Sequence, residues 1–392
     1  MTTLDRLFIG SGRLLAPVPY EGRTPWAVAI HDGRVTWIGA AADAPAADES
    51  TDLGAALVTP GLVDAHTHPV YAGDRSDEAA ARLAGATYDG GGILRTVAAT
   101  RAADDALLES LVEERLRAQL AAGTTTVECK SGYGLSTDEE LRALRIIGQV
   151  AKRVPARVVR TFLGAHALPP AEPDYVDRVV EEMLPAVAAE GVADFCDVFC
   201  DAGFFSLADA ERILRVASDR GMGLRLHADQ LSRTGAAELA VRMGATSADH
   251  LEQLDDAGVA ALARSGTVAT LLPGPALVMR DRLPPARALL DAGATVALAS
   301  DANAGTFGTW GAMPLVIGLG ATLLGMSVAE ALRAATLGGA AALGLGGRRG
   351  GLGPGMDADL VAWDAEHEGA FALHLGNVRA LRTFVGGAEV EA

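Results

Sequence analysis

The chain has 392 residues, of which 49% are hydrophobic and 21% are charged. This composition is typical of a globular protein and excludes a fibrous or disordered chain. The formal net charge of −17 disfavours nucleic-acid binding, because an acidic surface repels phosphate backbones. The first residues contain charges and no continuous apolar core, so we expect no secretory signal and a cytoplasmic location.

Both ends of the chain are rich in short runs of β-forming residues. Near the N-terminus, the turn signal His31-Asp32-Gly33-Arg34 separates two apolar runs and predicts a hairpin. Near the C-terminus, GLGPGMDADLVAWD predicts a turn followed by a strand, and VRALRTFVGGAEVE predicts a second hairpin. The two ends therefore differ in character from the middle of the chain.

The middle of the chain alternates predicted strands and helices. Eight apolar runs rich in Val, Thr, Leu or Phe predict strands at 62–68, 124–130, 157–163, 195–200, 223–227, 246–251, 267–272 and 295–300. Apolar residues at helical spacing predict helices at 104–121, 138–154, 175–190, 206–220, 234–243, 255–264 and 285–292. Many of these helices end at a glycine, which is a common C-cap signal.

This alternation indicates a parallel α/β protein. Eight strands over this length favour a (β/α)₈ TIM barrel. An open, doubly wound sheet is the alternative, and the number of strands does not exclude it. The missing G-x-G-x-x-G motif after the first strand weakens the dinucleotide-binding form of that alternative.

Polar residues at the predicted strand ends favour the barrel. Five of the eight histidines and one aspartate lie in or just after predicted strands: His66, His68, His166, His227, His250 and Asp301. In a barrel the C-terminal strand ends open onto one face, which holds the active site. Residues i and i+2 of a strand point the same way, so His66 and His68 can bind one ion together. His227 and Asp301 can complete a set of three nitrogens and one oxygen, with a position left for water.

The strand-end histidines and the cysteines also have a simpler, structural interpretation. A single histidine at a strand end is more often a structural residue than a ligand. The three cysteines, Cys129, Cys196 and Cys200, are too few for a disulfide framework. Cys196 and Cys200 fall in an apolar run, so we expect them to be buried core residues rather than metal ligands.

The segment PGLVDAHTHPVYAGDR at 60–75, together with His227, His250 and SDAN at 300–303, resembles the amidohydrolase superfamily. GLGPGMDADLVAWD near the C-terminus resembles it as well. The resemblance implies a metal-dependent (β/α)₈ TIM barrel over residues 58–349. It also implies a small β-sandwich domain built from both termini, 1–57 and 350–392. His66, His68, His227 and Asp301 would hold one divalent metal ion per chain, Zn or Fe.

Further segments are similar to one family within that superfamily, the imidazolonepropionases: VECKSGYGLS at 127–136, TFLGAHALPP at 161–170, DVFCDAGFFS at 197–206, LHADQLSRTGAAELA at 226–240 and SDANAGT at 300–306. This resemblance implies hydrolysis of the ring amide C–N bond of 4-imidazolone-5-propanoate to N-formimidoyl-L-glutamate, a step of histidine degradation. It also implies a homodimer with a small-molecule substrate and with neither a nucleic-acid nor a membrane partner.

The same resemblance implies roles for individual residues. His250 and Asp301 would be catalytic, and Arg75 and Tyr133 would hold the propionate. The remaining expected substrate-binding residues are Tyr88, His166, Gln230, Asn303, Gly305 and Thr306. The segment after Tyr88 is shorter than the family pattern by roughly one helical turn. Lys130 ends the second predicted strand, where two-metal members do not usually carry their bridging lysine, so one metal is favoured.

Two alternatives to this function stay open in the sequence. The first is another cyclic amidohydrolase or a deaminase of imidazole or pyrimidine rings, because one fold hosts many functions. The pair Arg75 and Tyr133 argues for a substrate with a carboxylate. The second is an inactive scaffold, which would have no need to keep a costly polar cluster.

Overall fold

The computed structural model describes residues 4–16, 24–85, 91–170 and 172–390. Its strands fall into two sets of four at the chain ends and one set of eight between them. They are β1 (Leu4–Gly10), β2 (Trp26–His31), β3 (Arg34–Ala40), β4 (Ala47–Asp52), β5 (Leu57–Pro60), β6 (Leu62–Asp64), β7 (Thr124–Lys130), β8 (Arg157–Ala165), β9 (Phe195–Cys200), β10 (Gly223–Ala228), β11 (Ser247–His250), β12 (Val268–Leu271), β13 (Val296–Leu298), β14 (Leu360–Trp363), β15 (Ala380–Val385) and β16 (Ala388–Val390).

Strands β6 to β13 form one sheet in which neighbours in sequence are neighbours in space. Every pair in it is parallel. The sheet closes just beyond its first and last strands, where Asp301 N donates to His66 O at 3.0 Å and His68 N donates to Ala302 O at 2.9 Å. All eight predicted strands are confirmed. The strand order never reverses, as it would in a doubly wound sheet, so the fold is the predicted TIM barrel.

The helices mostly follow the barrel strands. They are α1 (Ser76–Leu83), α2 (Gly91–Ala102), α3 (Asp105–Ala121), α4 (Thr137–Val150), α5 (Tyr175–Arg178), α6 (Leu184–Glu190), α7 (Leu207–Asp219), α8 (Ala236–Met243), α9 (Asp256–Ala263), α10 (Pro273–Met279), α11 (Ala286–Asp291), α12 (Met313–Thr322), α13 (Val328–Arg333), α14 (Gly339–Ala342) and α15 (Ala370–Leu373). The predicted helix 175–190 is divided, because a π-helical turn at Val179–Met183 separates α5 from α6.

Helix α7 shows how the sequence forms these elements. The Ser206 side chain accepts a hydrogen bond from Asp209 N, and the Asp209 side chain accepts one from Ser206 N, which closes a capping box at the first turn. Its buried residues are spaced three or four apart, so one face packs on the barrel: Ala210, Ile213, Leu214 and Ala217. The helix ends before Gly221, whose positive φ of 78° suits a C-terminal turn.

The chain ends build two four-stranded sheets, in the orders β3-β2-β1-β4 and β16-β15-β14-β5. The predicted hairpin turn lies between β2 and β3, with left-handed Asp32 and Gly33. The two sheets share one apolar cluster, in which the rings of Phe8 and Phe384 lie 4.6 Å apart. The expected composite domain from both termini is therefore present. Its bounds at 1–57 and 350–392 stay a prediction, and β5 pairs with β14 in this domain.

No helix in the described ranges is both long enough and apolar enough to cross a membrane. The stretch after Asp301 that lacks charged residues contains α12, whose seven buried residues include Val316 and Ile317. The cysteines are reduced and buried in strands, as expected from the apolar runs that contain them.

Candidate metal centre and active site

Four side chains meet at the C-terminal end of the barrel, where β6, β10 and β13 end. His66 Nε2 lies 3.1 Å from His227 Nε2 and 3.2 Å from His68 Nε2. Asp301 Oδ1 lies 3.2 Å from His68 Nε2 and 3.7 Å from His66 Nε2. Strand β6 ends at Asp64, two residues before His66, but the alternation of side chains continues, so His66 and His68 still converge.

The geometry and chemistry of these four residues fit a metal ion. Nitrogen ligands about 2.0–2.1 Å from one tetrahedral ion are about 3.3 Å apart, close to the distances observed. A set of three imidazoles and one carboxylate suits zinc or ferrous iron. Burial, the positive charge of Lys130 and the neighbouring histidines lower the pKa of His66 well below its usual value, which favours the neutral form that binds metals.

Buried carboxylates orient two of these histidines from behind. His66 Nδ1 donates to Asp249 Oδ2 at 2.7 Å, which leaves Nε2 to face the other ligands. His227 Nδ1 lies 3.0 Å from Asp197 Oδ2. Burial alone would raise the pKa of Asp197, but His227 and Lys130 beside it hold that pKa well below its usual value. Asp197 is therefore charged beneath the metal site.

Two buried cations balance these carboxylates. Arg225 Nη2 donates to Asp249 Oδ2 at 2.8 Å. Lys130 Nζ donates to Glu128 Oε1 and to Asp197 Oδ2, both at 2.7 Å. Burial lowers the pKa of Lys130, but Asp197 and Glu128 outweigh it and raise that pKa overall, so the amine stays protonated. A protonated amine between two carboxylates cannot serve as a metal bridge.

His250 lies against the same cluster. Its ring centroid is 5.5 Å from that of His66 and 5.2 Å from that of His227. His66, His227 and His250 could also hold an ion, as could His66, His68 and Asp301. Burial lowers the pKa of His250, but Glu252, Asp301 and Asp249 outweigh it and raise that pKa overall. The backbone of His250 is left-handed, with φ of 82°, which is unusual for a residue other than glycine and is common at functional sites.

A cavity of about 30 Å³ extends from this cluster. The structure brings ten of the residues singled out in the sequence to its wall: His68, Arg75, Tyr133, His166, His227, Gln230, His250, Asp301, Asn303 and Thr306. His66 lies behind the wall and is fully buried. Gly305 packs against Arg75 so closely that a Cβ atom at this position would lie 2.3 Å from the guanidinium carbon. Tyr88 lies outside the described residues.

The loops around the cavity hold their residues through specific hydrogen bonds. Glu140 accepts from the backbone N–H groups of Gly132, Gly134 and Leu135, and so fixes the loop that carries Tyr133. His166 Nδ1 lies 2.9 Å from Gly132 O and must donate to it, because a carbonyl can only accept.

The loop after β13 is held in the same way. Asn303 Oδ1 accepts from Gly305 N at 2.7 Å and from Thr306 N at 2.9 Å. Its Nδ2 donates to Asp301 O and to Thr306 Oγ1. Asn303 therefore lines the cavity and also shapes the loop that positions Asp301.

Two residues of the cavity wall, Phe199 and Ile93, were not predicted from the sequence. Phe199 lies on β9 two positions after Asp197, so strand alternation gives it the same inward face, and that signal could have identified it. Ile93 lies near the start of α2, and nothing in the sequence distinguishes it from any other apolar helix residue.

The barrel and its metal-ligand cluster define a class of metal-dependent hydrolases, and the comparisons agree. The profile of the amidohydrolase family matches residues 57–390, so the chain belongs to this family. Solved structures share the fold. An adenosine deaminase from Xanthomonas campestris with bound zinc has a TM-score of 0.75 at 21% identity, over 99% of this chain and 93% of that one. A 5-methylcytosine deaminase from Klebsiella pneumoniae has a TM-score of 0.77 at 18% identity, over 98% of each chain.

Relatives of higher identity narrow this class to one family. The imidazolonepropionase of Paraburkholderia phymatum is 49% identical over 81% of each chain. That of Xanthomonas axonopodis pv. citri is 47% identical over 89% of each chain. At this identity and coverage, the chain belongs with the imidazolonepropionases within the amidohydrolase family.

Proposed function

We propose that this chain hydrolyses the ring amide C–N bond of 4-imidazolone-5-propanoate to give N-formimidoyl-L-glutamate. The observation that carries the proposal is the position of Arg75. Arg75 is 4% exposed and lines the same cavity as the metal-ligand cluster. A buried guanidinium matches a substrate carboxylate in shape and charge, which a neutral base does not.

We propose His66, His68, His227 and Asp301 as the ligands of one divalent ion per chain, zinc or iron. When bound, such an ion supplies Lewis acidity and a strong nucleophile at neutral pH. The protein side of the reaction is proton transfer and positioning. Asp301 accepts the proton of the attacking water, and His250 donates a hydrogen bond to the oxyanion that forms on the carbonyl.

The substrate is held at both ends in this proposal. Arg75 and Tyr133 bind the propionate, and Gln230 and His166 contact the ring. Because His166 donates its Nδ1 proton to Gly132 O, and because burial and His68 lower its pKa well below the usual value, its Nε2 is an acceptor. We therefore assign it to a ring N–H of the substrate rather than to the carbonyl oxygen. The loop of Asn303, Gly305 and Thr306 contacts the opened product.

The test is direct. The purified, metal-replete protein is mixed with 4-imidazolone-5-propanoate, the loss of ring absorbance is followed, and the product mass is measured. We expect the addition of one water. A protein that binds metal but leaves this compound unchanged, or that releases ammonia from cytosine or adenosine, would overturn the proposal.

We also infer a homodimer in the cytoplasm, supported by the family resemblance. Three reduced cysteines fit a reducing compartment. Light scattering of the purified chain should give twice the mass of 40.2 kDa, and a monomeric mass would contradict the dimer. Fractionation of the source cells tests the location.

A further inference from the structure

Helix α1 begins directly after Arg75 and has no buried residue of its own. Its position is set by polar contacts. Arg82 Nη2 donates to the carbonyl of Gly305 at 2.7 Å, which links the helix to the loop after β13. On the other side, Asp77 pairs with Arg95 at 2.7 Å, but both side chains are more than half exposed, so this pair contributes little to the position of α1. The alignment of α1 therefore depends on its less exposed charged side chains rather than on apolar packing.

Three charged side chains at the start of α1 and along it lie on one face. Arg75, Glu78 and Arg82 are spaced three and four residues apart, which brings them together on a helix. Arg75 donates to Glu78 through two nitrogens, Nε at 2.9 Å and Nη2 at 2.6 Å. Arg82 Nη1 donates to the same carboxylate at 2.9 Å. We call these three residues the α1 cluster, and it carries two positive charges and one negative charge.

The Arg75 guanidinium fits closely against two glycines from separate segments. A Cβ at Gly305 would lie 2.3 Å from Arg75 Cζ and Nη1. A Cβ at Gly92 would lie 2.4 Å from Arg75 Cζ and 1.9 Å from Glu78 Oε2. Real side chains do not approach this closely, so any residue with a side chain at either position would displace the pair. The backbone and the α1 cluster together restrict the orientation of the guanidinium.

We propose that Glu78 and Arg82 are positioning residues for the carboxylate of the substrate. Glu78 accepts hydrogen bonds from Nε and Nη2 of Arg75 and thereby orients the guanidinium. Arg82 binds both Glu78 and the carbonyl of Gly305, and so fixes the position of Glu78 relative to that loop. The cluster keeps one net positive charge for a monoanionic side chain. This proposal rests on the proposed function, since it gives Arg75 the task of binding the propionate.

The Glu78→Gln variant distinguishes a positioning role for Glu78 from competition with the substrate for Arg75. If Glu78 only competed with the substrate for Arg75, its neutralisation would lower KM. If it positions Arg75, the amide of glutamine faces guanidinium donors, the guanidinium turns, and KM for 4-imidazolone-5-propanoate rises about tenfold, the value of one charge-assisted hydrogen bond. We expect kcat to stay within about twofold, because the reacting bond lies at the metal end of the cavity.

The matching neutral compound, 4-imidazolone-5-propanamide, provides the readout that a structural defect would not reproduce. The α1 cluster acts on a carboxylate, so KM for the amide should be the same in wild type and Glu78→Gln. The control variant is Asp77→Asn, which removes an exposed ion pair from the same helix and should change neither KM. An equal rise in KM for both compounds in Glu78→Gln, or a lower KM for the propanoate, would overturn the positioning role.

Gly92→Ala supplies a second test if Glu78→Gln folds poorly. Alanine favours a helix over glycine, so α2 should remain stable. Its Cβ nevertheless displaces the Arg75–Glu78 pair, and the same selective rise in KM for the propanoate is expected. An unchanged KM in this variant would refute the close fit. A wild-type protein that does not turn over the propanoate at all would instead refute the proposed function.

Discussion

Replacing Glu140 by glutamine tests how the loop that carries Tyr133 is held. Glu140 is fully buried, and its two oxygens accept three backbone hydrogen bonds of 2.8 to 2.9 Å. Glutamine keeps one accepting oxygen, for Gly134 and Leu135, but turns an N–H toward the N–H of Gly132. One buried donor is then left without an acceptor, which costs about 2 kcal/mol, and the other two bonds lose about 1 kcal/mol each when the charge is removed.

These losses are partly offset. Burial raises the pKa of Glu140 despite its hydrogen bonds, so the charged form is costly inside the protein and a neutral amide avoids that cost. The net destabilisation expected is about 2 kcal/mol. Because the Tyr133 loop moves, we also expect KM for 4-imidazolone-5-propanoate to rise while the bound metal stays at its wild-type level.

Urea unfolding at pH 7 measures the destabilisation, and steady-state kinetics measure the change in KM. The matched control is Glu139→Gln, at the neighbouring position, where the side chain is partly exposed and pairs with Arg142. We expect this control to change the free energy of unfolding by less than about 1 kcal/mol. If the two variants unfold alike and share the wild-type KM, then Glu140 does not hold the loop, and the reasoning from its three hydrogen bonds is wrong.

Three further predictions follow from the ion pairs of the structure. Arg287 and the backbone N–H of Ser327, the N-cap residue of α13, lower the pKa of Glu330 from 4.5 to about 2. This pairing stabilises the fold above pH 4.5 and is lost as the pH falls through about 2, so Glu330→Gln should cost about 0.5 kcal/mol at pH 7 and much less at pH 2 by chemical denaturation. Asp249→Ala should weaken metal binding about 10–100-fold in chelator competition, because His66 loses its acceptor. Arg75→Ala should raise KM for the propanoate by at least tenfold at unchanged metal content, and an equal loss of metal would contradict its assignment to the propionate.

The fold could be predicted because its signals are local. Each barrel strand is an apolar run next to a turn signal, and the ligand histidines stand out because polar residues are rare at the ends of such runs. The division of the helix after Tyr175 could not be predicted, because the π-helical turn keeps the apolar spacing nearly intact.

The partners of the ligands could be predicted only in part. Strand alternation gives Glu128 and Lys130 the same inward face, so a buried charge pair was foreseeable. The pairing of Asp249 with His66 was not, because it joins β11 to the end of β6 across the barrel. The α1 cluster could not be predicted either, because its charged residues are typical of an exposed helix. Only the structure brings Gly92 and Gly305 against Arg75.

The pairing of β5 with β14 places Pro60 opposite Leu360, and so joins positions near the two ends of the chain. During synthesis from the N-terminus, β5 lacks its partner until all the strands of the barrel, β6 to β13, have been synthesised. An unpaired strand edge invites pairing with other chains. The four-residue length of β5 and its terminal proline, which has no N–H to donate, reduce that hazard. Since β6 and the metal-ligand histidines follow directly, the C-terminal residues complete the support beneath the active site, and a chain truncated before β14 should be a substrate for proteases rather than a slow enzyme.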